Sequence, residues 1–137
     1  MTTISEIRSG LAARLVTITG LRSKSDGTIP DNVNPPYAIV QISSVDYHRA
    51  FNNALNTYNF IVTVVVGRVS EGTAQRNLDN YCTPSGASSI RGAIEADRTL
   101  GGVVFDTIVT GMRNYGSVTI GETNYLAAEF DIAVQAD

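Results

Sequence analysis

Residues 125–135 place the tightest constraint on how this chain folds. Leu126, Ala128, Phe130, Ile132 and Val134 alternate with Tyr125, Ala127, Glu129, Asp131 and Gln135. A period of two puts the first set on one face of a β-strand and the second set on the other. One strand cannot bury such a face alone, so the chain must supply partner strands and a covering layer.

The partners are present. Tyr58 to Val66 reads as a strong strand, with Phe60, Val62, Val64 and Val66 on one face and a mixed Asn59, Ile61, Thr63 and Val65 on the other. Tyr37 to Ile42 reads as the strand before it, and Pro35-Pro36 impose an extended entry. The connection 43–57 is long for a hairpin, and connections of that length are commonly functional. Val103 to Met112 reads as another strand. Val118-Thr119-Ile120, a turn at Gly121–Asn124, and Tyr125 to Val134 read as a closing hairpin.

Helical periods supply the covering layer. Ile4, Ile7, Leu11, Leu15 and Ile18 recur at helical spacing behind a capping box of Thr3 and Glu6, which predicts a helix over residues 4–18 ending near Gly20. Residues 21–36 hold three of the four prolines and read as a loop. Ser70 is a candidate cap for a helix with Ala74, Leu78 and Tyr81 on one stripe. Ser88 or Ser89 caps a shorter one carrying Ile90, Ala93 and Ile94. The expected fold is α+β: an antiparallel four-stranded or slightly larger sheet, helices packed on one face, order α-β-β-α-α-β-β. At 137 residues the chain suits one domain over 1–137, which buries roughly 68% of its unfolded surface without metal or disulfide.

Composition narrows the function classes. Charged residues are only 17% against 43% hydrophobic, which leaves a surface suited to burial against partners. The net charge is −3 with no run of Lys or Arg, so a phosphate-tracking groove is not supported. Cys82 is the single cysteine and can form neither an internal bridge nor a Cys-rich metal site. Residues 1–6 lack the features of a secretion signal, and no apolar run is long enough to span a bilayer, so a soluble intracellular protein, or one assembled inside a cell, is expected.

No residue pattern carries catalysis. His48, the only histidine, stands in the 43–57 connection near Asp46, and no nucleophile elbow accompanies it. Glu129 and Asp131 share a strand face with Asp106 near, where a solvated face is the ordinary meaning. Asp26, Asp31 and Asn32 do not match a calcium loop. Gly86–Gly92 lacks the Gly-Lys-Ser/Thr ending of a phosphate loop and reads as a serine-capped helix start. Cys82 ends an apolar stripe, which favours packing over reactivity. Tyr47, His48, Arg49 and Phe51 set aromatics beside cations. That fits either single-stranded nucleic acid or a protein anchor, and the acidic balance favours the anchor. No cofactor or metal is expected. The half-apolar outer strand faces, with Ile61, Val65 and Ile108, are expected to be covered by a neighbouring subunit.

Several stretches together carry a resemblance. They are the helix Ile4–Ile18, Asn34-Pro35-Pro36-Tyr37-Ala38, Phe60–Arg68, Ala74–Tyr81, Ser88–Glu95, Thr99–Asp106 and Tyr125–Asp131. As a set they resemble the tail terminator proteins of long, non-contractile-tailed bacteriophages, over nearly the whole chain. The resemblance implies a non-enzymatic α+β subunit of a hexameric ring. Such a ring sits on the last ring of the tail tube, stops its growth and offers a docking surface to the head–tail connector or stopper protein, while DNA passes through its centre. It places the protein in the virion tail and neck, assembled in the host cytoplasm. Six copies at −3 would carry −18 formally, which would let DNA slide.

On this view Tyr47, His48, Arg49, Phe51, Leu55, Ile61 and Val65 are candidate interface residues, and Glu129 and Asp131 candidate lumen-facing acids. The 22–34 loop is a second candidate contact. The competing expectations are a head–tail stopper, a small nucleic-acid-binding module, or a hydrolase built on Asp46 and His48.

Overall fold

A computed structural model describes residues 3–24, 36–47, 55–68 and 72–136. Helix α1 (Ile4–Leu15) starts where the sequence predicts. The Glu6 amide donates to Thr3 Oγ1 at 3.1 Å, and the Thr3 hydroxyl donates to Glu6 Oε1 at 3.3 Å. The helix ends at Leu15 rather than Ile18. Val16, Thr17, Ile18 and Thr19 are a β-branched run, which crowds helical backbone. The amides of Thr17 and Ile18 bond three residues back, to Arg14 and Leu15, and Gly20 turns the chain at φ +87°.

The order then departs from the expectation by one element. Within residues 21–36, read as loop, lies a short strand β1 (Arg22–Lys24), while residues 25–35 fall outside the described residues. Three residues are too few for a period to show in sequence. β1 pairs in parallel with β2 (Tyr37–Asp46), Arg22 opposite Tyr37. β2 pairs antiparallel with β3 (Asn56–Arg68), and both strands reach further into the 43–57 connection than predicted. Helices α2 (Ala74–Cys82) and α3 (Ile90–Glu95) follow. Ser70 lies outside the described residues, and the N-cap position of α2 is Thr73, without a side-chain cap bond. Of the two candidate serines, Ser89 and not Ser88 caps α3.

Two long strands close the sheet, β4 (Asp106–Ile120) and β5 (Thr123–Ala136). Sequence divided β4 in two, because Gly111, Asn114 and Gly116 look like breakers. The strand absorbs them as irregularities between Val109 and Gly111 and between Arg113 and Gly116, with Asn114 at φ +55°. The fold is α+β with a five-stranded mixed sheet, β1-β2-β3-β5-β4, rather than a four-stranded antiparallel one.

One sheet face carries Ala38, Val40, Phe60, Val62, Val64, Phe130, Ile132 and Val134. It packs on Ile7, Leu11 and Leu15 of α1, Leu78 and Tyr81 of α2, and Ile90 and Ile94 of α3. The opposite face holds a second, smaller cluster of Tyr37, Ile39, Val65, Tyr125 and Ala127. Tyr125 and Ala127 belong to the outward set of the β5 alternation, yet both are buried. The far end of the β4–β5 hairpin brings Val118 and Ile120 against them. Val65 is 0% exposed, so it needs no neighbouring subunit to cover it.

Candidate interaction surface

Of the described residues predicted for a site, the β3–β5 pairing sets Ile61 opposite Asp131, and the others are spread over the sheet. Tyr47 is 67% exposed, Leu55 and Ile61 are half-buried, and Val65 is buried in the outer cluster. His48, Arg49 and Phe51 lie outside the described residues. Asp46 accepts from Asn59 Nδ2 at 3.1 Å. Glu129 and Asp131 are half-buried on the face opposite the helices. Glu129 accepts from Asn114, and Asp131 pairs with Arg113 at 3.2 Å. Ion pairs this exposed stabilise little.

The Gly86–Gly92 stretch is explained locally. Ser89 Oγ accepts the Gly92 amide at 3.0 Å and donates to the Thr83 carbonyl at 2.6 Å, which uses the hydroxyl fully. Cys82 is half-buried; burial and the nearby Asp79 charge push its thiol up to about 11, away from a nucleophile. Among the described residues no group of three His, Cys, Asp or Glu is placed to hold a metal ion. No described helix is long and apolar enough to cross a membrane.

What the fold does assemble is an edge. Phe105, Ile108, Met112 and Tyr115, all on or beside β4, are exposed, and Phe105 is 60% so. The loop before them is firmly built. Asp97 accepts from Thr99 Oγ1 and from the Gly101 amide, both at 3.0 Å, and those bonds hold its carboxyl below its ordinary range. Arg98 grips both oxygens of Asp106 at 2.7 Å, which likewise lowers the Asp106 carboxyl. Leu100 adopts φ +52° with its side chain buried against Gly10 of α1. The Phe105 amide is fixed to the Gln135 carbonyl at 2.8 Å. An exposed aromatic is thus presented from a fixed backbone.

The first part of β4 is shielded from further pairing. The Thr107 amide donates to Asp106 Oδ1 at 2.9 Å, and the Val109 amide to Glu95 Oε2 of α3 at 3.0 Å. Carboxylates occupying edge amides blunt strand addition. Beyond Val109 the protection stops. Val109 and Met112 face Ile132 and Phe130, two residues apart on β5, so both amides point away from the sheet. Ser117 and Thr119, opposite Leu126 and Asn124, share that orientation. Among the described residues nothing accepts from the amides of Met112, Ser117 or Thr119.

Farther along, the Tyr115 hydroxyl donates to Asp79 Oδ1 of α2 at 2.6 Å. That bond raises the phenol to about 12. Between the Glu95 and Tyr115 tethers lies a hollow of about 340 Å³, lined by Cys82, Pro84, Arg91, Val109, Met112 and Phe130. Phe105, Met112 and Tyr115 were not singled out in sequence. For Met112 and Tyr115 the only trace in sequence is the broken alternation around Gly111 and Asn114.

Neither a scan of protein-family models nor a search of curated proteins finds a match for this chain.

Proposed function

We propose that this chain is a structural tail terminator subunit. Copies of it form a ring that caps a phage tail tube, stops its polymerisation and offers the head connector its docking surface. The observation that carries the reading is the row of exposed apolar side chains along one open sheet edge: Phe105, Ile108, Met112 and Tyr115. Aromatic and methionine side chains on a fixed backbone are what protein interfaces use as anchors. A ring needs two different complementary surfaces on each copy, and a five-stranded sheet with two unlike edges supplies a pair.

The low charged fraction of 17% supports the same reading, because a ring subunit hides much of its surface against neighbours. Glu129 and Asp131, on the helix-free face, are the acids we assign to the lumen, where like charge keeps DNA from adhering.

Electron microscopy of particles assembled without this protein tests the proposal. Over-long, headless tubes support it. Free tails of normal length beside leaking heads would move the chain to the head side, as a stopper.

A further inference from the structure

We propose that Glu95 and Asp106 form an autoinhibitory latch on the β4 edge, which stops two copies of this chain from pairing their β4 strands about a two-fold axis at Ile108. The proposal does not depend on the ring reading, because it concerns a contact that the folded chain refuses.

The geometry begins with the pairing of β4 and β5. Thr107 lies opposite Val134, Ile108 opposite Ala133 and Val109 opposite Ile132. Successive residues of an edge strand turn their backbone groups alternately toward the sheet and away from it. The Thr107 amide donates to Asp106 Oδ1 at 2.9 Å and the Val109 amide to Glu95 Oε2 at 3.0 Å, so these two residues face away. Ile108, between them, faces β5 with its backbone. Val109 packs against the helix-facing core, and alternation therefore sets the Ile108 side chain on the helix-free face, where it is 42% exposed.

That triplet is complementary to itself. Lay a second β4 antiparallel beside the first, with Thr107 of one copy opposite Val109 of the other. Both positions then exchange backbone bonds. The two-fold axis passes through Ile108, which meets its own counterpart in the close, non-hydrogen-bonded position with Cα atoms about 4.5 Å apart. Two exposed isoleucines become a cross-strand apolar pair, which favours the sheet. Each copy thus carries both halves of an isologous contact, the commonest form of dimer.

Both donors of that contact are taken in the folded chain, and the groups that take them are held firmly. Arg98 grips both oxygens of Asp106 at 2.7 Å, and Arg91 Nε stands 3.4 Å from Glu95 Oε2. Helix α3 is seated by Ile90 and Ile94, both 0% exposed, and by Arg14 Nε donating to the Ala93 carbonyl at 3.0 Å. Glu95 gains little from the helix it ends. It is an anion at a C-terminus, where the backbone dipole favours cations. An arginine four residues before a glutamate is also the weaker order for such a pair. A side chain placed against the local rule has its use elsewhere. Here that use is the Val109 amide, and charge turned onto an edge is how natural sheets refuse strand addition.

The test uses the full chain with Cys82→Ser, which removes the native thiol, and Ile108→Cys, which reports the two-fold axis directly. A contact between unlike surfaces does not bring a residue to its own counterpart, so ring formation gives no signal. With the latch intact, mild oxidation should leave the chain unlinked. Adding Glu95→Ala and Asp106→Ala should make the disulfide-linked dimer the main product. Adding Glu95→Gln and Asp106→Asn instead keeps an acceptor at each amide and should leave the chain unlinked. With Ile108 in place, sedimentation velocity should show a dimer in the Glu95→Ala/Asp106→Ala chain that Ile108→Lys abolishes, since like charges would then stand face to face. Circular dichroism checks that each variant is folded. Should loss of the Arg98 clamp unfold the double variant, Glu95→Ala alone carries the test, with weaker but measurable linkage expected. Equal linkage with and without the latch, at any level, would overturn the proposal, and so would a dimer that survives Ile108→Lys.

Discussion

Gly10 sits where α1 crosses the loop after α3, and a Cβ there would stand 3.1 Å from Leu100 Cβ. Leu100 cannot give way easily, since its φ of +52° is fixed by the Asp97 bonds to Thr99 and Gly101. Gly10→Ala should therefore destabilise by about 1 kcal/mol, with overpacking exceeding the helix-propensity gain. Urea unfolding measures it, and a gain in stability would mean the loop yields. Ser89 is the second telling residue. It is 1% exposed and serves both the Gly92 amide and the Thr83 carbonyl, so Ser89→Ala should cost about 1–2 kcal/mol by the same measurement, with Ser89→Asn recovering part. The cap was legible in sequence because a serine preceded an apolar helical period. The Gly10–Leu100 approach was not, because its partners are ninety positions apart and a leucine at positive φ leaves no local signature.

Strands β3 and β5 were visible from their alternation alone, since both faces of a sheet have to be sorted into wet and dry. β1 was not, because a three-residue parallel strand gains its place from the β2 edge and not from its own residues. β4 was half visible: its bulges conserve the pairing with β5 while breaking the period that sequence reading depends on. The same bulges bring the Tyr115 hydroxyl to Asp79 of α2. A phenol raised to about 12 adds stability that is complete below its ordinary value of about 10 and lost as pH rises through about 12. Between those values the β4–α2 tether should loosen, seen as faster hydrogen exchange at Tyr115 and its neighbours. Tyr115→Phe should abolish that pH dependence; an identical alkaline profile in the variant would remove the bond from the account. The candidate surface was legible only where it broke a rule. Ile108 stood out as an apolar residue on a face meant for water, whereas Phe105 and Met112 become conspicuous only when the loop and the bulge are placed in space.

At the scale of the molecule, two facts bear on function. The helix-facing core takes side chains from all three described helices. The two edge strands among the described residues are unlike in length, three residues in β1 and fifteen in β4. On the proposed reading, ring closure is governed by concentration and by the tube end the subunit meets. The flanking strands claim residues of the 43–57 connection up to Asp46 and from Asn56, and Tyr47 beside them is exposed. The central claim is that these copies end a growing tube. The direct measurement is the length of tail tubes polymerised from tube protein in the presence of increasing amounts of this chain, read by electron microscopy. The account predicts that mean length falls with dose and that a ring caps one end of each tube. Tubes whose length is the same at every dose, with bare ends, would contradict it.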